Sequence, residues 1–184
     1  MQPLAAIGFT WVAWMVSWAA AAVWVNRTVG KASRRDEVLS RLTVGAGAAL
    51  LFWNYKDSPG TDETAGWILF AVVVLGILFA WWARVHLGRL WSGRVTRKED
   101  HRVVDTGPYA LVRHPIYTGV VTSALATGIA EWRVAAFSAA LVIALGFWLR
   151  SRLEERFLRA ELGTAYEEYA RRVPMLIPFF PRKR

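Results

Sequence analysis

The sequence predicts an all-α, polytopic membrane protein of about five transmembrane helices, and three observations predict it. Apolar residues make up 55% of the 184-residue chain and eleven are Trp, more apolar surface than a small soluble fold hides. Apolar runs recur at the length a bilayer asks of a helix. The excess of basic residues falls on alternate segments between those runs, as the positive-inside rule requires.

The first apolar run covers residues 4–25, the second 38–55 and the third 64–85. Two shorter runs follow, 116–130 and 134–149, with only Glu131, Trp132 and Arg133 between them, which predicts a tight helical hairpin that barely crosses. Five spans put the termini on opposite sides. Charge then orients the chain: residues 26–37 carry four basic against two acidic residues, 87–115 six against three, and the tail from Arg150 nine against five. Residues 56–63 carry one against three and the 131–133 turn one against one. The basic segments are expected in the cytoplasm. Trp24, Trp81, Trp82 and Trp148 then mark the inner boundary, and Trp53, Trp67 and Trp132 the outer one. Trp11, Trp14 and Trp18 repeat at helical spacing inside the first run, either as a packing face or as a lining for a lipid substrate.

Other classes are excluded. A net charge of +9 and a pI near 10.6 would suit nucleic acid, but the basic residues sit between apolar runs and form no single face. No nucleic-acid partner is expected. The absence of cysteine removes disulfides and thiolate chemistry. No metal site is expected. Met1-Gln2-Pro3 lacks the basic start of a signal peptide, so the first run should remain as a helix. The chain reads as a single integral membrane domain, with two N-terminal helices in residues 1–56 and a motif-bearing core in 64–184. Its oligomeric state is open.

The last helix has no breaker before Gly163 and should continue past the membrane to that residue as a C-cap. Thr164 and Glu167 form a capping-box pattern that starts a second short helix through Tyr166 and Tyr169. Residues 173–181 hold three prolines among apolar residues and are expected to form an interfacial strip.

The chemistry concentrates in two places. Gly107-Pro108-Tyr109-Ala110-Leu111-Val112-Arg113-His114-Pro115-Ile116-Tyr117-Thr118-Gly119 packs Arg, His and two Tyr at the mouth of the fourth helix. Pro115 suits a first-turn position, leaving unpaired N–H groups beside Arg113 and His114, a place for an anionic group or an interfacial anchor. On the fifth helix Arg150 and Glu154 are four apart and share a face, as site residues or as an intrahelical ion pair. Arg152, Arg156 and Arg159 lie on another face that suits lipid headgroups.

Together these motifs resemble the isoprenylcysteine carboxyl methyltransferase family. The resemblance rests on Gly107 to Gly119, on Glu154-Glu155 with Leu158, and on Gly163, Tyr166 and Tyr169, with His86-Leu87-Gly88, Trp91 and Ser92 also fitting. It covers most of the chain from His86 onward, while the first two helices carry no signature of it. It implies methyl transfer from S-adenosyl-L-methionine in a pocket facing the cytoplasm, to a lipid-like or prenylated acceptor arriving from the bilayer. By that resemblance His101, Val103, Val104, Tyr109, His114, Pro115, Tyr117 and Glu154 match cofactor-holding positions, and Arg150 matches the one that engages the acceptor carboxylate. Arg150, Glu154 and Arg113 are the candidate catalytic residues. The acidic run is shorter than in several relatives, since Arg156 directly follows Glu155, which bears on the acceptor. Carboxyl O-methylation of an isoprenylcysteine-type substrate is the first expectation. N-methylation of a phospholipid or other lipid amine is the second, and would require His114, Glu154 or Glu155 to take a proton. An NADPH-dependent membrane reductase of the sterol-reductase type is a third.

Overall fold

A computed structural model describes residues 2–21, 28–31, 34–53, 55–91, 96–98 and 103–179. Among the described residues there are five long helices: α1 (Pro3–Ala21), α2 (Arg34–Leu51), α3 (Glu63–Leu87), α5 (Pro115–Ala130) and α6 (Val134–Arg172), with the single turn α4 (Pro108–Leu111) before α5. By length and composition α1, α3 and α6 can cross a membrane, and α5 is apolar but shorter. The second predicted span differs most. α2 begins at Arg34 and carries five charged residues in its first eight positions, so only its C-terminal part is apolar. The protein is a multi-pass membrane protein of helical class. One short feature departs from the expected loops: β1 (Thr28–Lys31) pairs antiparallel with β2 (Thr96–Lys98), joining two basic segments far apart in the chain.

Local chemistry fixes the helix ends. Asp62 caps α3 by accepting a hydrogen bond from Ala65 N at 3.0 Å, and Gly88 ends that helix at φ 57. α6 runs without interruption from the 131–133 turn to Gly163, whose φ of 53 marks a kink between two helical segments.

Small residues set how closely the helices pack, because within lipid the association depends on shape and hydrogen bonds. A Cβ on Gly119 of α5 would fall 2.3 Å from Gly76 O of α3, so only glycine fits. Ser123 Oγ reinforces that contact by donating to Val73 O at 3.0 Å. α2 lies against α6 by the same device: a Cβ on Gly47 would meet Ile143 Cγ1 at 2.7 Å, and one on Gly146 would meet Val44 Cγ2 at 2.6 Å. The Trp stripe of α1 packs inward. Trp11 Nε1 donates to Thr127 Oγ1 at 3.0 Å, and Trp18 meets Trp81 edge-on at 5.2 Å.

The ends of α5 separate two polar regions. Beyond Ala130, Glu131 O and Ala130 O accept from Gly60 N and Thr61 N, so the 56–63 loop and the 131–133 turn meet at one end. Arg113 and His114 lie at the other.

Candidate active site

His114 is the N-cap of α5 and Pro115 its first residue, where the missing N–H costs nothing. The chain returns beneath this mouth after α6. Arg113 N donates to Pro174 O at 2.8 Å, His114 N to Met175 O at 3.1 Å and Thr118 Oγ1 to Leu176 O at 2.7 Å. Residues 173–179 are therefore a strap that satisfies donors at the helix start. Ile177 and Phe179 on it are 61% and 91% exposed, which suits contact with lipid.

The spacing on α6 brings Arg150 and Glu154 to the same mouth. Tyr117 OH donates to Glu154 Oε1 at 2.5 Å and accepts from Arg150 Nε at 2.8 Å, and Arg150 Nε also lies 3.3 Å from that carboxylate oxygen. The helical pair is thus bridged by a tyrosine from α5. Phe147, one turn before Arg150, stacks on Tyr117 with ring centroids 4.8 Å apart, and His114 lies parallel to Tyr117 at 5.6 Å.

His114 stands between two carboxylates, with Nδ1 3.4 Å from Glu154 Oε2 and Nε2 3.5 Å from Glu155 Oε1. Burial opposes its charged form, but both carboxylates outweigh burial and raise its pKa above the ordinary value. Glu154 and Glu155 respond reciprocally. Burial pushes each up, and His114, with Arg150 and Tyr117 for Glu154 and with Arg113 for Glu155, holds both below the usual carboxylate range. Both carboxylates are therefore ionised at neutral pH, and the balance of His114 moves toward its charged form.

Arg113 is differently employed. Its Nε lies 2.7 Å and its Nη2 2.6 Å from Glu155 Oε1, while Nη1 donates to Ala170 O at 2.9 Å and Val173 O at 2.5 Å. All three guanidinium nitrogens tie the α4–α5 junction to α6 and the strap. Tyr109 is buried, stacks on His86 at 6.3 Å and accepts at its carbonyl from Tyr169 OH at 2.8 Å. Val103 packs against the Tyr166, Tyr169 and Val173 cluster, and Val104 is half-buried nearby in sequence. His101 lies outside the described residues.

A family model for the isoprenylcysteine carboxyl methyltransferase family matches residues 67–160, half of the chain. The protein-S-isoprenylcysteine O-methyltransferase B of Arabidopsis thaliana is 32% identical over 111 residues, covering 59% of this chain and 56% of the relative. Methanethiol S-methyltransferase 2 of Bradyrhizobium diazoefficiens is 33% identical over 155 residues, covering 73% and 57%. The chain belongs to the isoprenylcysteine carboxyl methyltransferase family. It spans somewhat over half the length of these two relatives. A solved structure of the eukaryotic intramembrane Ras methyltransferase ICMT (isoprenylcysteine carboxyl methyltransferase) shares the fold, with a TM-score of 0.59 at 23% identity over 77% of this chain and 53% of that one.

Within this methyltransferase-family fold the candidate residues divide into groups. His114, Tyr117, Arg150 and Glu154 form one connected cluster, with Pro115 setting its helix start. Tyr109 and Val103 sit in a neighbouring aromatic layer. Sequence reasoning left Phe147 out, although its place three residues before Arg150 on an inward face was a usable signal. The partners of Arg113 were hidden because two of them are backbone carbonyls of a segment sixty residues away.

Proposed function

We propose that this protein is an S-adenosyl-L-methionine-dependent methyltransferase of the membrane, acting on the carboxylate of an isoprenylcysteine-type acceptor, with its site facing the cytoplasm. The observation that carries the reading is the Tyr117 bridge between Arg150 and Glu154, which joins the two motifs into one cluster. The residues present fit the cofactor. Glu154 Oε2 makes only a 3.4 Å contact and so keeps acceptor capacity for an amino or hydroxyl group, and His114 Nε2 is buried with no hydrogen bond. Glu154, His114, Tyr117, Tyr109, Pro115, Val103, Val104 and His101 would hold it, and bound there it supplies an activated methyl group on a sulfonium. Residues 64–184 would form the catalytic core and residues 1–56 the two N-terminal helices.

The work left to the chain is binding and alignment. A carboxylate acceptor needs no deprotonation at neutral pH, so no general base is required. Arg150, held by Tyr117, presents its fork to that carboxylate and fixes its line of approach, which is where the rate gain of an in-line transfer arises. Full neutralisation of the acceptor would blunt its nucleophilicity, so positioning is the main contribution of Arg150. Arg113, already occupied by Glu155 and two carbonyls, supports the mouth of α5 instead of binding substrate.

The test is a labelled methyl-transfer assay in liposomes over N-acetyl-S-prenylcysteine, fatty acid, aminophospholipid and small thiol acceptors, paired with ligand-dependent melting. Stabilisation by S-adenosyl-L-methionine and labelling of the prenylcysteine carboxyl are expected. Labelling only of an amine or thiol would replace the acceptor class, and stabilisation by NADPH alone would remove methyl transfer altogether.

A further inference from the structure

We propose that Glu37 of α2 is a positioning residue for Arg150, extending the site onto a helix that carries no part of either motif. The packing register leads there. On α2 and α6, Gly47 faces Ile143 and Ala139 O, and one turn along Gly146 faces Val44 and Ser40 O. One further turn along each antiparallel helix sets Glu37 beside Arg150. Ser40 is buried at this contact, and its Oγ donates to Glu37 O at 2.9 Å, which holds the first turn of α2 against α6.

Two observations give Glu37 a purpose. Its carboxylate acts electrostatically on Arg150, across the interface between helices. Its Oε1 is shielded from solvent yet accepts no hydrogen bond, with Arg41 Nε of the same helix 3.4 Å away. Arg41 is half-exposed and screened by water, whereas Arg150 is buried, so water weakens the inter-helix interaction less. Arg150 is thereby drawn toward two carboxylates, Glu154 on its own helix and Glu37 on α2. Loss of Glu37 removes the pull from α2 and leaves that of Glu154 and Tyr117 less opposed. The guanidinium then shifts toward Glu154, which turns the fork from the acceptor and occupies a carboxylate assigned to the cofactor.

The inference rests on the function proposed above, and a double-mutant cycle separates the two. Glu37→Gln should raise KM for N-acetyl-S-prenylcysteine about tenfold with kcat within about threefold of wild type. Glu37→Asp should recover part of that loss, and Arg41→Ala should leave KM unchanged. In an Arg150→Gln background, Glu37→Gln should add nothing to the kinetic defect, and the melting shifts of the single variants should be non-additive by a few degrees. A kinetic effect of Arg41→Ala equal to that of Glu37→Gln would reduce Glu37 to an intrahelical pair and overturn the proposal. Additive melting shifts overturn it whether or not the protein transfers methyl groups. A wild-type protein inactive on every acceptor but with coupled melting would support the pairing and place the failure in the reaction assignment.

Discussion

The two ends of the α5–α6 hairpin each hold a carboxylate paired with arginine, and they are wired differently. At the hairpin turn Glu131 Oε2 accepts from Ser58 Oγ at 2.8 Å and from Arg133 Nη2 at 2.5 Å, and the same Nη2 donates to Trp53 O at 2.8 Å. This lock joins the 56–63 loop to the hairpin turn, and the Glu131 side chain is 0% exposed. At the open mouth of the hairpin Glu154 is shared among Tyr117, Arg150 and His114, two of them at 3.3 to 3.4 Å, and its side chain is 19% exposed. A buried ion pair is therefore weak evidence of function. A shared carboxylate within reach of a ligand, bridged to a second motif, is stronger.

The largest expected effect breaks the Glu154 wiring alone. Arg150→Ala should lower turnover by about 100-fold or more, about 2.7 kcal/mol of transition-state stabilisation, with cofactor affinity close to normal. Glu154→Ala should instead weaken binding of S-adenosyl-L-methionine. Arg150→Lys should rescue only in part, because it keeps the charge and loses the planar fork. Calorimetric titration with the cofactor and steady-state kinetics in liposomes separate these outcomes, and near-normal turnover in folded Arg150→Ala protein would remove Arg150 from the site.

Arg113 comes next and sharpens the comparison within the Glu154 end. Because its guanidinium holds Glu155, the α6 carbonyl of Ala170 and the strap carbonyl of Val173, Arg113→Ala leaves a buried carboxylate and unpaired backbone groups, at a cost of about 3 kcal/mol. Melting in detergent should fall by many degrees. Replacing Arg113 and Glu155 together by Met should cost less than Arg113→Ala, which an anion-binding role for Arg113 does not predict.

Hydropathy made the helices legible, since lipid forces every backbone group into a helix wherever an apolar run is long enough. The Arg150 and Glu154 face followed from helical periodicity. The β1–β2 ribbon did not, because Thr28–Lys31 and Thr96–Lys98 are short, polar and separated by more than sixty residues, and pairing at that range leaves no local pattern. The start of α2 was also misplaced: charged residues ended the apolar run at Val38, but they remain helical as far back as Arg34. That extension contains Glu37, which is why its position beside Arg150 was invisible to hydropathy.

A smaller effect concerns pH. The pKa of His114 is raised by Glu154 and Glu155, so the stability it adds is fully present below its ordinary value of 6.5 and is lost as pH rises through the folded value. Glu154 and Glu155 are lowered, so their contribution is present above 4.5 and is lost as pH falls. The cluster around His114 is therefore firmest between those limits. Melting temperature should decline by a few degrees on the alkaline side of 6.5, and His114→Asn should flatten that slope. An unchanged slope in the variant would assign the decline to other groups.

The smallest effect is expected at the Glu131 lock, and it decides whether the two ends differ in function or only in geometry. Glu131→Gln keeps the shape and one oxygen for Ser58 Oγ, and Arg133, 22% exposed at its side chain, can turn its freed nitrogen to water. Burial already pushes the pKa of Glu131 up against the pull of Arg133 and Ser58, so removing the charge also removes a desolvation penalty. The net loss should be about 1 kcal/mol or less of stability, a shift of a few degrees in melting, with cofactor affinity and turnover unchanged. Thermal melting and the same labelled transfer assay read both quantities. A fall in turnover comparable with that of Arg150→Ala would show that the Glu131 carboxylate serves the reaction as well.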